Sequence, residues 1–195
     1  SFRWSSNSFD VVGFGHIDGY VNAWGYRAFR NAAALLEELP SRRDLAQRCR
    51  EAGSRLRESY AKALVNPETG WVAGWRSRDG ELHDYAFTWV NGVALAFGLL
   101  DSESASKALE GLELLRDEVG AGSSQMGIPC NFLPIRAEDQ MLSKILDGTQ
   151  PTFEAYTDGS LSGWPATYYL RALSLYGPQD RARKMARELE EGYAA

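Results

Sequence analysis

Cysteine is scarce in this chain. Cys49 and Cys130 are the only two among 195 residues and stand in no CxxC spacing, which excludes a disulfide framework and a structural zinc site. Histidine is equally scarce: His16 and His83 occur without clustered ligands, so no metal centre and no cofactor are expected. No uninterrupted apolar run approaches the roughly 18–20 residues of a membrane span, which excludes a membrane-spanning role. The opening Ser1-Phe2-Arg3-Trp4 lacks the basic-then-apolar pattern of a signal peptide. Together with the missing disulfide framework this points to the cytoplasm, while a first residue other than Met points to a processed or cut N-terminus. Positive charge is not in excess either. The net charge is −5, and the 21 Lys and Arg are spread among 26 acids, so a phosphate backbone would be repelled and nucleic acid is not an expected partner. No GxSxG supports a nucleophilic serine, and Gly13-Phe14-Gly15 lacks the third glycine and the lysine of nucleotide-binding loops.

What the chain does contain is helix-forming sequence. With 44% hydrophobic, 12% aromatic and 24% charged residues, it reads as a single soluble domain over 1–195. The segment from Tyr20 to Leu39 is rich in Ala and Leu, apolar on most sides and stopped by Pro40, as a buried helix would be. After Ser41 as N-cap, a second helix places Leu45, Cys49, Ala52, Leu56 and Ala63 on one stripe and Arg42, Arg43, Arg48, Arg50, Arg55 and Arg57 on its wet face. The same order recurs from Ala86 to Leu100, followed by an amphipathic helix capped by Ser102. It recurs again from Ser162 to Gly177, followed by an amphipathic helix opening near Pro178. Arg78-Asp79-Gly80-Glu81 reads as the tip of a short β-hairpin in the loop between the first two pairs. The expected fold is therefore all-α, three αα-hairpins with that β-hairpin inserted, and the long connections between pairs are the natural place for a site.

Three stretches carry a resemblance. Gly15 to Leu39 (GHIDGYVNAWGYRAFRNAAALLEEL), Asp84 to Asn91 (DYAFTWVN), and Thr152-Phe153-Glu154 through Asp158-Gly159-Ser160 to Leu173 resemble segments of the bacterial six-hairpin glycosidases, rhamnosidase-like members of the (α/α)6-toroid superfamily. The resemblance implies a partial (α/α) toroid, since three pairs are about half of a ring. It implies either the C-terminal half of a longer catalytic domain or a short relative that closes its ring as a homodimer. In both cases a missing half would cover the apolar face of the inner helices. The implied activity is inverting hydrolysis of a glycosidic bond in a carbohydrate substrate. The alternative is a non-catalytic carbohydrate-binding or oligomer-completing module, or an inactive fragment.

Inversion needs one protonated carboxyl group and one carboxylate, about 6.5–9.5 Å apart, that activates water. By resemblance Glu154 is the base, and Asp18 or Asp10, near the first inner helix, is the acid. An N-cap role explains Asp18 equally well. Trp71, Trp75, Tyr156 and Trp164 are candidate platforms for sugar rings, whereas Trp24 and Tyr168, at helical spacing, read as packing residues. Asp158 and His83 complete the candidate substrate contacts, although Asp158-Gly159 also reads as a plain turn and His83 as a loop histidine bonded to backbone.

Overall fold

The computed structural model describes residues 12–140, 153–154 and 158–194, so the candidates Asp10 and Tyr156 lie outside the described residues. Six α-helices are described: α1 (Gly19–Glu37), α2 (Arg43–Leu64), α3 (Thr88–Ala96), α4 (Ser102–Glu118), α5 (Gly163–Tyr176) and α6 (Gln179–Ala194). Helix α1 packs on α2 and α5 on α6, while α3 lies against both α1 and α5. Helix α4 packs on α5 rather than chiefly on α3, so the expected middle hairpin is not a closely packed pair. Every residue of α3 is buried. A nine-residue helix without a polar face is stable only when neighbours surround it.

Five two-residue strands seat the helix starts. β1 (Ile17–Asp18) runs directly into α1 and pairs antiparallel with β2 (Trp75–Arg76), which pairs with β3 (Leu82–His83), Trp75 standing opposite both Asp18 and His83. β4 (Ile128–Pro129) pairs with β5 (Leu161–Ser162), which runs directly into α5. Phe87, the residue before α3, bridges to Asn131, and the Cys130 amide donates to the Ser160 carbonyl at 3.1 Å. These ladders gather the N-termini of α1, α3 and α5 at one end of the molecule.

Two buried side chains fasten α3 to the loops there. Asn91 accepts from the Val72 amide at 2.8 Å and donates to the Val72 and Phe87 carbonyls, each at 2.9 Å. Thr88 Oγ1 donates to the Pro129 carbonyl at 2.6 Å. Each satisfies backbone groups that no regular ladder reaches. The last turn of α3 ends at Gly98, whose φ of +77° is the left-handed geometry that lets the chain reverse into α4.

The structure revises several local expectations. The α2 helix does not start from a Ser41 cap: Pro40–Arg42 form a 3₁₀ turn and Arg42 occupies the cap without a side-chain bond. Its buried stripe is Ala46, Gly53, Tyr60 and Leu64, one residue beyond the apolar stripe; Leu45 is exposed and Cys49 half-buried. Within this stripe Gly53 faces α1, where an added Cβ would meet Phe29 and Tyr26 at the ordinary contact distances of 3.6 and 3.9 Å. Asp101 rather than Ser102 caps α4, accepting from the Ser104 amide at 2.9 Å. Finally, α1 is not buried all round. Gly19, Ala23, Tyr26 and Ala33 are buried, but Val21, Trp24, Phe29 and Leu35 remain exposed.

Candidate functional site

The end at which α1, α3 and α5 begin carries most of the candidate residues. Asp18 caps α1: its Oδ1 accepts from the Val21 amide at 3.0 Å and its carbonyl accepts from Asn22 Nδ2 at 2.7 Å. Only 4% of the residue is exposed. Beneath it the hydroxyl of Tyr60 donates to the Gly19 carbonyl at 2.8 Å. Burial first, and then the negative charge of Asp18, push the Tyr60 phenol far above its ordinary value. The Asp18 side chain is committed to the first turn of α1, so its position suits anchoring the helix start.

Along the open face of α1 and α5 runs a wall of rings. Tyr20 meets Trp89 edge-on at 4.6 Å and Trp24 at 6.1 Å, and Trp24 in turn meets Phe97 at 5.0 Å and Tyr168 at 5.5 Å, both edge-on. Trp89 reaches across to Trp164 at 5.5 Å. Trp89 and Phe97 are buried, Tyr20 and Tyr168 half-buried, and Trp24 and Trp164 are 36% and 45% exposed. Edge-on packing fixes each ring while leaving a face or rim of the outer ones to solvent. Trp24 and Tyr168 thus do more than fill the interior, because no described helix covers this side.

Glu154 lines a groove to which Asp18 does not contribute. It is exposed, sits in a turn at φ +69°, and borders this groove of about 460 Å³ together with Val119, Ala121, Pro129, Ser160 and Leu161. The ring of the preceding Phe153 packs onto Gly159, where an added Cβ would meet it at 2.4 Å, and this contact holds the turn against the lead-in to α5. Leu161 of β5 lines the groove and Trp164 is the second residue of α5, so groove and wall adjoin at the start of α5.

The other candidates take structural positions. Trp71 and Trp75 are core residues, 8% and 1% exposed, and neither can offer a face to a sugar. Trp75 stacks on His83 at 4.3 Å with the planes 9° apart. Asp158 is buried and ties down the loop before it: Oδ1 accepts from Asn131 Nδ2 at 2.8 Å and the Ile135 amide at 3.3 Å, and Oδ2 from Gln140 Nε2 at 2.8 Å. Burial raises its carboxyl above the ordinary value in spite of these bonds.

His83 belongs to a network that sequence reasoning missed. Its Nε2 lies 3.1 Å from Ser77 Oγ, and its Nδ1 lies 2.7 Å from Asp139 Oδ2, which also accepts from the Tyr85 hydroxyl and from Arg136 at 3.3 Å. A serine, an imidazole and a carboxylate in that order match the connectivity of an acyl-transfer triad. Here, however, Ser77 is 3% exposed and its hydroxyl donates to Asp79. A committed, buried hydroxyl cannot attack a substrate, so the network locks the β2–β3 hairpin onto the 136–140 segment. Residues 77, 83 and 139 share no spacing motif, and His83 bonds to two side chains rather than to backbone as a loop histidine would.

Among the described residues, no three His, Cys, Asp or Glu side chains converge as metal ligands, and no helix is long and apolar enough to cross a membrane. No protein-family model matches the chain, and no curated protein is similar to it in sequence. The site therefore stands on its geometry.

Proposed function

We propose that the chain forms an arc of an (α/α) toroid and binds carbohydrate against the wall of Tyr20, Trp24, Trp164 and Tyr168, where it takes part in inverting glycoside hydrolysis. The observation that carries this is the set of partly exposed rings held by edge-on and tilted ring contacts beside the gathered starts of α1, α3 and α5. Sugar rings stack their apolar C–H faces on such side chains while nearby polar groups take the hydroxyls. In this reading Glu154, exposed at the edge of the adjoining groove, activates water. Asp18 holds the start of α1, and the proton for the leaving oxygen comes from a different acid.

A non-catalytic sugar-binding module is the second reading, and the burial of Asp18 as a helix cap favours it. Both readings are tested together by titrating oligosaccharides against tryptophan fluorescence and by assaying aryl glycosides. Trp164→Ala is expected to weaken binding severalfold to about tenfold. Glu154→Gln is expected to reduce hydrolysis by about 10²–10⁴-fold at unchanged binding. Binding without turnover in the parent chain leaves the second reading; no saccharide binding at all overturns both.

A further inference from the structure

A second cavity lies away from that end, between α1 and α2. It measures about 340 Å³ and is lined by Tyr26, Arg30 and Glu37 of α1 and by Arg50, Ser54 and Arg57 of α2, over a floor that includes Ala33 and Gly53. We propose that this groove is a binding site for a small oxyanion of the phosphate or sulfate class.

The first support is a charge imbalance inside the cavity. Three guanidinium groups face one carboxylate. Arg50 is paired with Glu37 and fixed further by Gln47 Oε1, which accepts from its Nε at 3.1 Å and its Nη2 at 2.7 Å. Neither Arg30 nor Arg57 has a carboxylate within ion-pair distance among the described residues; Arg30 lies over the ring of Tyr26 at 5.9 Å. Positive groups converging on one groove repel each other unless an anion sits between them, and the planar fork of Arg matches the oxygens of a tetrahedral oxyanion.

The second support is where this occurs. Between Gly19 and Leu64 the chain carries nine basic residues against five acidic ones, within a protein of net charge −5. Positive potential is therefore concentrated on the hairpin that contains the cavity. The geometry supplies the rest. Arg50, Ser54 and Arg57 fall at i, i+4 and i+7 on one face of α2, so the donors are set on helices over a floor that includes the buried Gly53 and Ala33. The Ser54 hydroxyl adds a neutral donor to the charged ones.

The test is a titration of the whole chain with inorganic phosphate and, separately, with sulfate at pH 7.5. Sodium chloride holds the ionic strength constant, and the Nε–Hε resonances of Arg30 and Arg57 are followed by NMR. Both anions are expected to give saturable shifts at these two side chains. Arg30→Gln and Arg57→Gln should each weaken binding by about tenfold, the loss of one charge-assisted contact. Glu37→Gln, which removes the competing carboxylate, should tighten it, a gain that a damaged fold cannot mimic. Shifts that do not saturate, a Glu37→Gln variant that binds no tighter, or binding confined to an extended polyanion such as heparin would overturn the proposal. None of these outcomes depends on saccharide binding at the other end of the molecule.

Discussion

Asp139 is a half-buried carboxylate that the fold keeps charged. Burial raises its carboxyl, but bonds from His83, Tyr85 and Arg136 outweigh that and hold it below the ordinary carboxylate value. For a group whose folded value is depressed, the stabilisation is complete above the unfolded value of about 3.9 and fades as pH falls through the folded one. Asp139→Asn should accordingly cost about 2 kcal/mol at pH 7 in urea unfolding. That gap should narrow as pH falls below the unfolded value towards the depressed folded one, and a gap unchanged by acid would contradict the assignment. None of this could be read along the sequence, since the three donors come from positions 83, 85 and 136 and meet only through the β2–β3 hairpin. The tryptophans were misread for a related reason. Trp71 and Trp75 lie in a loop by sequence pattern, yet Val72, bonded to Asn91, and Trp75, in β2, draw that loop into the core. Loop position predicts exposure only when no buried side chain supplies the missing backbone partners.

Helices were legible where punctuation and period agreed. Pro40 closes α1, Gly177 closes α5, and the stripe Ala105, Ala108, Leu109 and Leu112 on α4 is buried as its spacing requires. Their rotations were less legible, because glycines decide them by the neighbours they admit. At Gly92 of α3 an added Cβ would lie 2.7 Å from the Tyr169 backbone nitrogen of α5, whereas at Gly25 of α1 it would meet nothing nearer than Leu56 at 3.8 Å. The same substitution should thus have opposite signs. Gly92→Ala forces two helix backbones apart and is expected to cost about 1–3 kcal/mol, while Gly25→Ala, gaining helix propensity without a clash, should add about 0.5–1 kcal/mol. Thermal unfolding of the two variants decides it.

Over the whole molecule, one buried ionic group joins α4 to α5 and α6. Glu113 of α4 accepts from Tyr169 of α5 at 3.0 Å and lies 3.5 Å from Arg116, which donates to the Ala121 carbonyl at 2.8 Å and to Ser124 Oγ at 2.5 Å. Arg181 of α6 reaches the same carboxylate at 3.7 Å, and Glu188 of α6 accepts from the Ser124 amide at 2.8 Å. Arg116→Met leaves Glu113 undercompensated in the interior and should cost about 3–5 kcal/mol in chemical unfolding. Adding Glu113→Leu should recover part of the loss, since removing both charges is cheaper than stranding one. Neither Glu113 nor Arg116 belongs to a sequence motif, and both are buried, 3% and 4% exposed.

The position of α3 also governs how the chain must be made. Its apolar residues leave the ribosome well before α5, whose buried face of Ala166, Tyr169, Ala172 and Leu173 is half of their shell. Between the two events the nascent protein carries an uncovered hydrophobic segment, with α1 available on one side only. Synthesis order, rather than final stability, therefore sets the interval in which this protein is most exposed to aggregation and most in need of a chaperone.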